Sequence, residues 1–110
     1  MQEKRKSIRY RTQAQAKIPG VFNGDALLKD ISVTGCCVEC MSRVNILPDT
    51  QYTIQVIPEP DSQIGKFEVL AQSRWIHARE DACEIGLIIL ESPKGKQFQR
   101  YVDYLAWRAS

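Results

Sequence analysis

A chain of 110 residues, 44% apolar and 25% charged, has the balance of an ordinary globular domain long enough to bury a core without disulfides or metals. Its longest apolar run, Leu87-Ile88-Ile89-Leu90, is far short of the roughly 20 residues a membrane helix needs, and its polar amino terminus does not resemble a secretory signal. The net charge of +2 conceals an asymmetry: residues 1–17 carry six basic side chains against one acidic, the other 93 nine against twelve. Cationic charge is concentrated in a leading arm, which suits an anionic partner or a solvated leader. With four cysteines and no export signal, free thiols in a reducing cytoplasm are expected.

Behind the arm, residues 1–12, the hydrophobic pattern has the period of strands. Gln13 to Ile18 alternates polar and small apolar residues as a half-buried strand does, and Pro19-Gly20 stops it. Asn23-Gly24-Asp25 supplies turn chemistry before a strand predicted from Ala26 to Ile31. Gly35, which adopts positive φ without steric cost, marks a sharp reversal into a returning strand, Cys36 to Cys40. After the turn Leu47-Pro48-Asp49, β-branched and aromatic residues alternate with polar ones from Tyr52 to Ile57, and Pro58 and Pro60 close that strand. Lys66 to Ile76 is long enough for a bent barrel strand, and its predicted partner is Cys83 to Leu90, reached through a polar loop from His77 to Ala82. About six strands at this spacing predict a small antiparallel sandwich or barrel over 13–91.

The period then changes. Ser92 can cap, Pro93 suits a first helical position, and Phe98, Tyr101, Val102 and Leu105 share one face, which predicts a helix over 92–108. A helix this short is marginal alone in water, so it should dock on the barrel.

Two stretches carry chemistry. In Asp30-Ile31-Ser32-Val33-Thr34-Gly35, Asp30 and Ser32 are two apart and share one face of an extended chain. Such residues equally serve their own backbone in turns. Arg5 and Arg9 lie on one side of the arm whether it is helical or extended, and can straddle a compact dianion. An arginine fork takes phosphate oxygens or the O6 and N7 of guanine, and a carboxylate accepts from the N1 and N2 donors of the same base. Together they describe a guanine nucleotide pocket.

Arg5-Lys6-Ser7-Ile8-Arg9 resembles the RxxxR element of the PilZ domain family, and Asp30 to Gly35 resembles its (D/N)xSxxG element. Val69 to Ile76, ending in Arg-Trp-Ile, the run Glu84-Ile85-Gly86-Leu87 and the terminal helix look similar too, so the resemblance covers almost the whole chain. It implies a mainly β fold: a six-stranded antiparallel split β-barrel with a flexible basic amino-terminal arm and a carboxy-terminal α-helix, binding the bacterial second messenger cyclic di-GMP. By that resemblance Arg5 and Arg9 grip phosphates and guanine bases, while Asp30, Ser32 and Gly35 line the pocket for a base. Many family members carry another arginine immediately before the first; here Lys4 keeps the charge without the fork, which leaves open whether one or two ligands bind. Arg74 and Trp75 are lesser candidates that could stack on a purine, although such a tryptophan more often belongs to the core. The expected mechanism is ordering without catalysis: the arm closes over the ligand, and the reshaped surface meets a downstream protein. No cofactor is expected.

Other chemistries fit less well. Cys37 and Cys40 spell CxxC, but residues three apart on a strand face opposite sides; Cys36 and Cys40 share a side yet stand roughly 13 Å apart, so buried free thiols are expected instead of a zinc site. The single histidine, His77, has no nucleophile at a meaningful spacing, so an enzyme is disfavoured. Nucleic-acid binding through the arm is also disfavoured, since only Tyr10 interleaves an aromatic ring with the charge. A PilZ-like adaptor acting by protein contacts alone would have no use for the intact arginines, Asp30 and Ser32.

Overall fold

Alternating burial along the chain becomes seven strands, with one α-helix and a short 3-10 turn (Pro60–Ser62) beside them, in the computed structural model, which describes residues 8–22, 26–42, 44–91 and 96–110. The strands are β1 (Tyr10–Arg11), β2 (Gln15–Lys17), β3 (Ala26–Ile31), β4 (Gly35–Cys40), β5 (Gln51–Ile57), β6 (Phe67–Ala78) and β7 (Cys83–Glu91); the helix α1 is Gln97–Ala109. Strands β2 to β7 form a closed six-stranded antiparallel barrel, in the order β3-β2-β5-β6-β7-β4 with β4 returning to β3.

The extra strand corrects the expected boundary of the arm. Tyr10 and Arg11 pair with Ile31 and Asp30, so the last residues assigned to the arm belong to the sheet. Because β4 runs along the whole of one edge of β3, β1 and β2 share the other. They are separated by Thr12, whose hydroxyl donates to the Leu28 carbonyl and accepts from the Ala14 N–H. Strand β6 likewise runs further than predicted and includes His77 and Ala78, both exposed.

Inward residues of every barrel strand form the core, among them Ala16, Leu28, Val38, Ile54, Val69 and Ile85. Helix α1 covers one flank. Tyr101, Val102 and Leu105 are buried, and the Phe67 ring lies 5.9 Å from that of Tyr101 and 6.2 Å from that of Phe98. Each such side chain contributes on the order of 1.5–3 kcal/mol of burial, which is what a helix of 13 residues needs to hold its place. The helix begins at Gln97 with Lys96 as its cap, not at the predicted position; Ser92 and Pro93 lie outside the described residues.

All four cysteines are unbridged and buried. Cys36, Cys40 and Cys83 join the core cluster, with Cys40 directly opposite Cys83 across β4 and β7, whereas Cys37 turns to the outer face.

Candidate functional site

Two β-bulges build the outer face of the barrel. Strict alternation from the buried Leu28 would send Lys29 out and Asp30 in; instead Lys29 is the extra residue between the pairs Leu28–Val38 and Asp30–Cys37. The insertion turns Asp30 outward. On β6, Arg74 is the extra residue between Ser73–Leu87 and Trp75–Gly86, and it turns Trp75 outward in the same way. One inserted residue re-aims the strand beyond it, which is how bulges commonly serve binding sites.

Outward-facing Asp30 meets Arg9. Arg9 Nη1 donates to Asp30 Oδ1 at 2.8 Å, with both side chains partly open to solvent. The guanidinium lies over Gly35: a Cβ there would stand 3.4 Å from Arg9 Nη2 and 2.9 Å from the Leu87 carbonyl oxygen. Gly35 is therefore required for space, and not for the positive φ expected of it.

Ser32 does not present its hydroxyl beside Asp30. Strand β3 ends at Ile31, and the buried Ser32 Oγ accepts from the backbone N–H groups of Thr34 and Gly35 at 3.2 and 3.1 Å. Its side chain holds the turn from inside and thereby fixes where Gly35 and Asp30 stand. Arg5 and Lys4 fall outside the described residues.

Trp75 is not a core residue. It is 48% exposed, and its indole fills the space above Gly86, where an added Cβ would meet ring atoms at 2.2–2.7 Å. Arg74, also exposed, flanks it on the bulge. A lone glycine inside the apolar run Ile85-Gly86-Leu87 was the sequence signal for such a close approach. Register then sets a lateral row across five strands: Arg11 opposite Asp30, Asp30 opposite Cys37, Cys37 opposite Gly86, and Gly86 opposite Trp75. Carboxylate, thiol and indole share one surface.

Charges border this row. Lys29 Nζ donates to Glu84 Oε2 at 2.7 Å; that bond raises the lysine pKa and holds the Glu84 carboxyl below its usual range. A groove of about 460 Å³ adjoins it, lined by Arg11, Thr12, Gln13, Leu27, Leu28, Lys29 and Glu39. Among the described residues no group of three or more His, Cys, Asp or Glu side chains could hold a metal ion.

A buried acid that no motif marks lies where the helix docks. Glu59 accepts from the Tyr101 hydroxyl at 2.6 Å and from Arg108 Nη1 at 2.7 Å, and Arg108 Nη2 reaches the Arg11 carbonyl oxygen at 3.1 Å. The helix thus touches the strand from which the arm departs.

Comparison with known proteins agrees with this architecture. No curated protein sequence matches the chain. The Bacillus subtilis inhibitor of motility, MotI/DgrA, superposes with a TM-score of 0.73 at 18% identity over 97% of this chain, which spans 52% of that protein. The PilZ domain of YcgR from Escherichia coli, solved with c-di-GMP, superposes with a TM-score of 0.69 at 20% identity, covering 97% of this chain and 95% of that one. At such identities the likeness speaks to the fold. No helix among the described residues is long and apolar enough to cross a membrane. The family model named PilZ domain matches residues 3–107, nearly the full length, and the chain therefore belongs to the PilZ domain family.

Proposed function

We propose that this protein is a cyclic di-GMP receptor. The observation that carries the reading is the Arg9–Asp30 pair, 2.8 Å apart on the same outer face as the half-exposed Trp75. A guanidinium, a carboxylate and an indole match the three faces of a guanine nucleotide: phosphate or Hoogsteen edge, Watson-Crick donors, and ring plane. Arg9 and Arg5 take the phosphates and bases, with Lys4 adding charge. Asp30 accepts from the base edge, Trp75 and Arg74 offer stacking surface, and Ser32 and Gly35 hold the turn and give the room that lets Arg9 lie across it. The YcgR PilZ domain, which shares this fold, was solved with c-di-GMP, and that supports the choice of ligand. The receptor needs no cofactor, works in the cytoplasm, whose reducing conditions suit four free thiols, and signals by ordering its arm for a downstream protein partner.

Calorimetric titration of the purified chain with cyclic di-GMP, with GTP and linear GpG as controls, tests this. Saturable binding to the cyclic ligand is expected, weakened at least tenfold in Arg9→Ala and Asp30→Ala, since a charge-assisted hydrogen bond is worth about 1.5–3 kcal/mol. Absence of binding at high ligand concentration would overturn the reading in favour of an adaptor.

A further inference from the structure

Cys37 stands between the two halves of the site and belongs to neither motif. It faces Asp30 on one side and Gly86 on the other, outside the core cluster that takes Cys36, Cys40 and Cys83. Neighbouring strands lie about 4.8 Å apart, so Asp30 and the indole-covered Gly86 are separated by about 10 Å, with Cys37 midway. Only 4% of Cys37 is exposed, so the thiol fills its place without rising above its neighbours. Burial foremost, then the charges of Asp30 and Glu84, pushes its pKa up to about 11. At neutral pH it is therefore an uncharged, small and polarisable surface.

We infer that Cys37 is the floor of a base-binding shelf running from Asp30 to Trp75, and that the small side chain at this position determines which planar bases can lie across it. This rests on the cyclic di-GMP reading above. A two-ring base stacked against the indole extends over Cys37 and brings its edge donors to Asp30; a one-ring base on the same indole stops short of the carboxylate. A side chain that extends past the γ position, such as leucine or methionine, stands up into the plane the base occupies. The small residue is a steric selector, acting through what it leaves open.

The test uses the full chain carrying Trp107→Phe, which leaves Trp75 as the only one of the two tryptophans. Cyclic di-GMP and cyclic di-UMP are titrated by calorimetry and by Trp75 emission, and thermal melting confirms that each variant is folded. Cys37→Ala and Cys37→Ser should bind cyclic di-GMP within about threefold of the parent, whereas Cys37→Leu and Cys37→Met, which reach past the γ position, should each lose about tenfold or more. Trp75 quenching should fall in step, and cyclic di-UMP should bind the parent at least tenfold more weakly than cyclic di-GMP. If the leucine variant does not fold, the methionine variant decides. Parent-like affinity and quenching in a folded leucine or methionine variant would overturn this inference alone, as would equal affinity for the pyrimidine ligand. Failure of the parent to bind cyclic di-GMP would remove the receptor reading beneath it.

Discussion

An added methyl group at Gly35 would press on the Leu87 carbonyl from 2.9 Å and on the Arg9 guanidinium from 3.4 Å. The guanidinium can swing away; the strand carbonyl cannot. Gly35→Ala is therefore expected to cost about 1–3 kcal/mol in urea denaturation, as overpacking does, and to loosen Arg9 from Asp30. The residue types of this site were legible in the sequence, because a carboxylate, a hydroxyl and a glycine in one short run announce themselves. Their directions were not. Asp30 and Trp75 face outward only because Lys29 and Arg74 are each inserted once, and a period of two cannot reveal where it will be broken. Ser32, placed with Asp30 by the same alternation, instead serves the turn that ends the strand.

Helix α1 shows the same limit at the level of elements. Its buried face was readable from the spacing of Phe98, Tyr101, Val102 and Leu105, since that face must meet the core. Its start was not, because its cap, Lys96, makes no side-chain hydrogen bond that a capping pattern could signal. Strand β1 escaped notice because two residues are too few to display any period. What anchors the helix end is the pairing of Arg108 with Glu59, a contact 49 residues apart. Arg108→Ala should lower the melting temperature and cost about 1–3 kcal/mol, because it leaves a buried acceptor short of a partner. The lower end of that range is expected, since Arg108 is 36% exposed and solvent screens the ion pair.

For the molecule as a whole, burial makes folding sensitive to alkali. Desolvation pushes the Cys36 and Cys40 thiols up to about 12, and desolvation together with the bond to Glu59 raises Tyr101 above the usual phenol range. Each of these groups is held protonated more tightly in the folded than in the unfolded chain. Their contribution to stability is complete below the ordinary thiol value of 9 and declines as pH rises through the ordinary thiol and phenol values toward the folded ones. Glu84, held low by Lys29, has the opposite sign: its contribution is present above the ordinary carboxylate range and is lost as pH falls below it. Denaturant melts from pH 7 to 11 should show the alkaline decline, with a shallower slope above about pH 10 in Tyr101→Phe, since the phenol is then removed from the balance. Strand count and spacing pointed to a small antiparallel sandwich or barrel, and the family resemblance to a six-stranded barrel; neither gave the strand order or marked which margin would carry an extra strand. Strand β5 ends at Ile57, opposite Gln15 of β2, and does not pair with β1; by the alternation of the ladder the Arg11 carbonyl points away from β3. Among the described residues no strand pairs with that margin of β1, the kind of edge onto which a strand from another chain can zip. Arg108 already occupies its acceptor, so the helix that completes the core also guards the sheet against edge-to-edge aggregation.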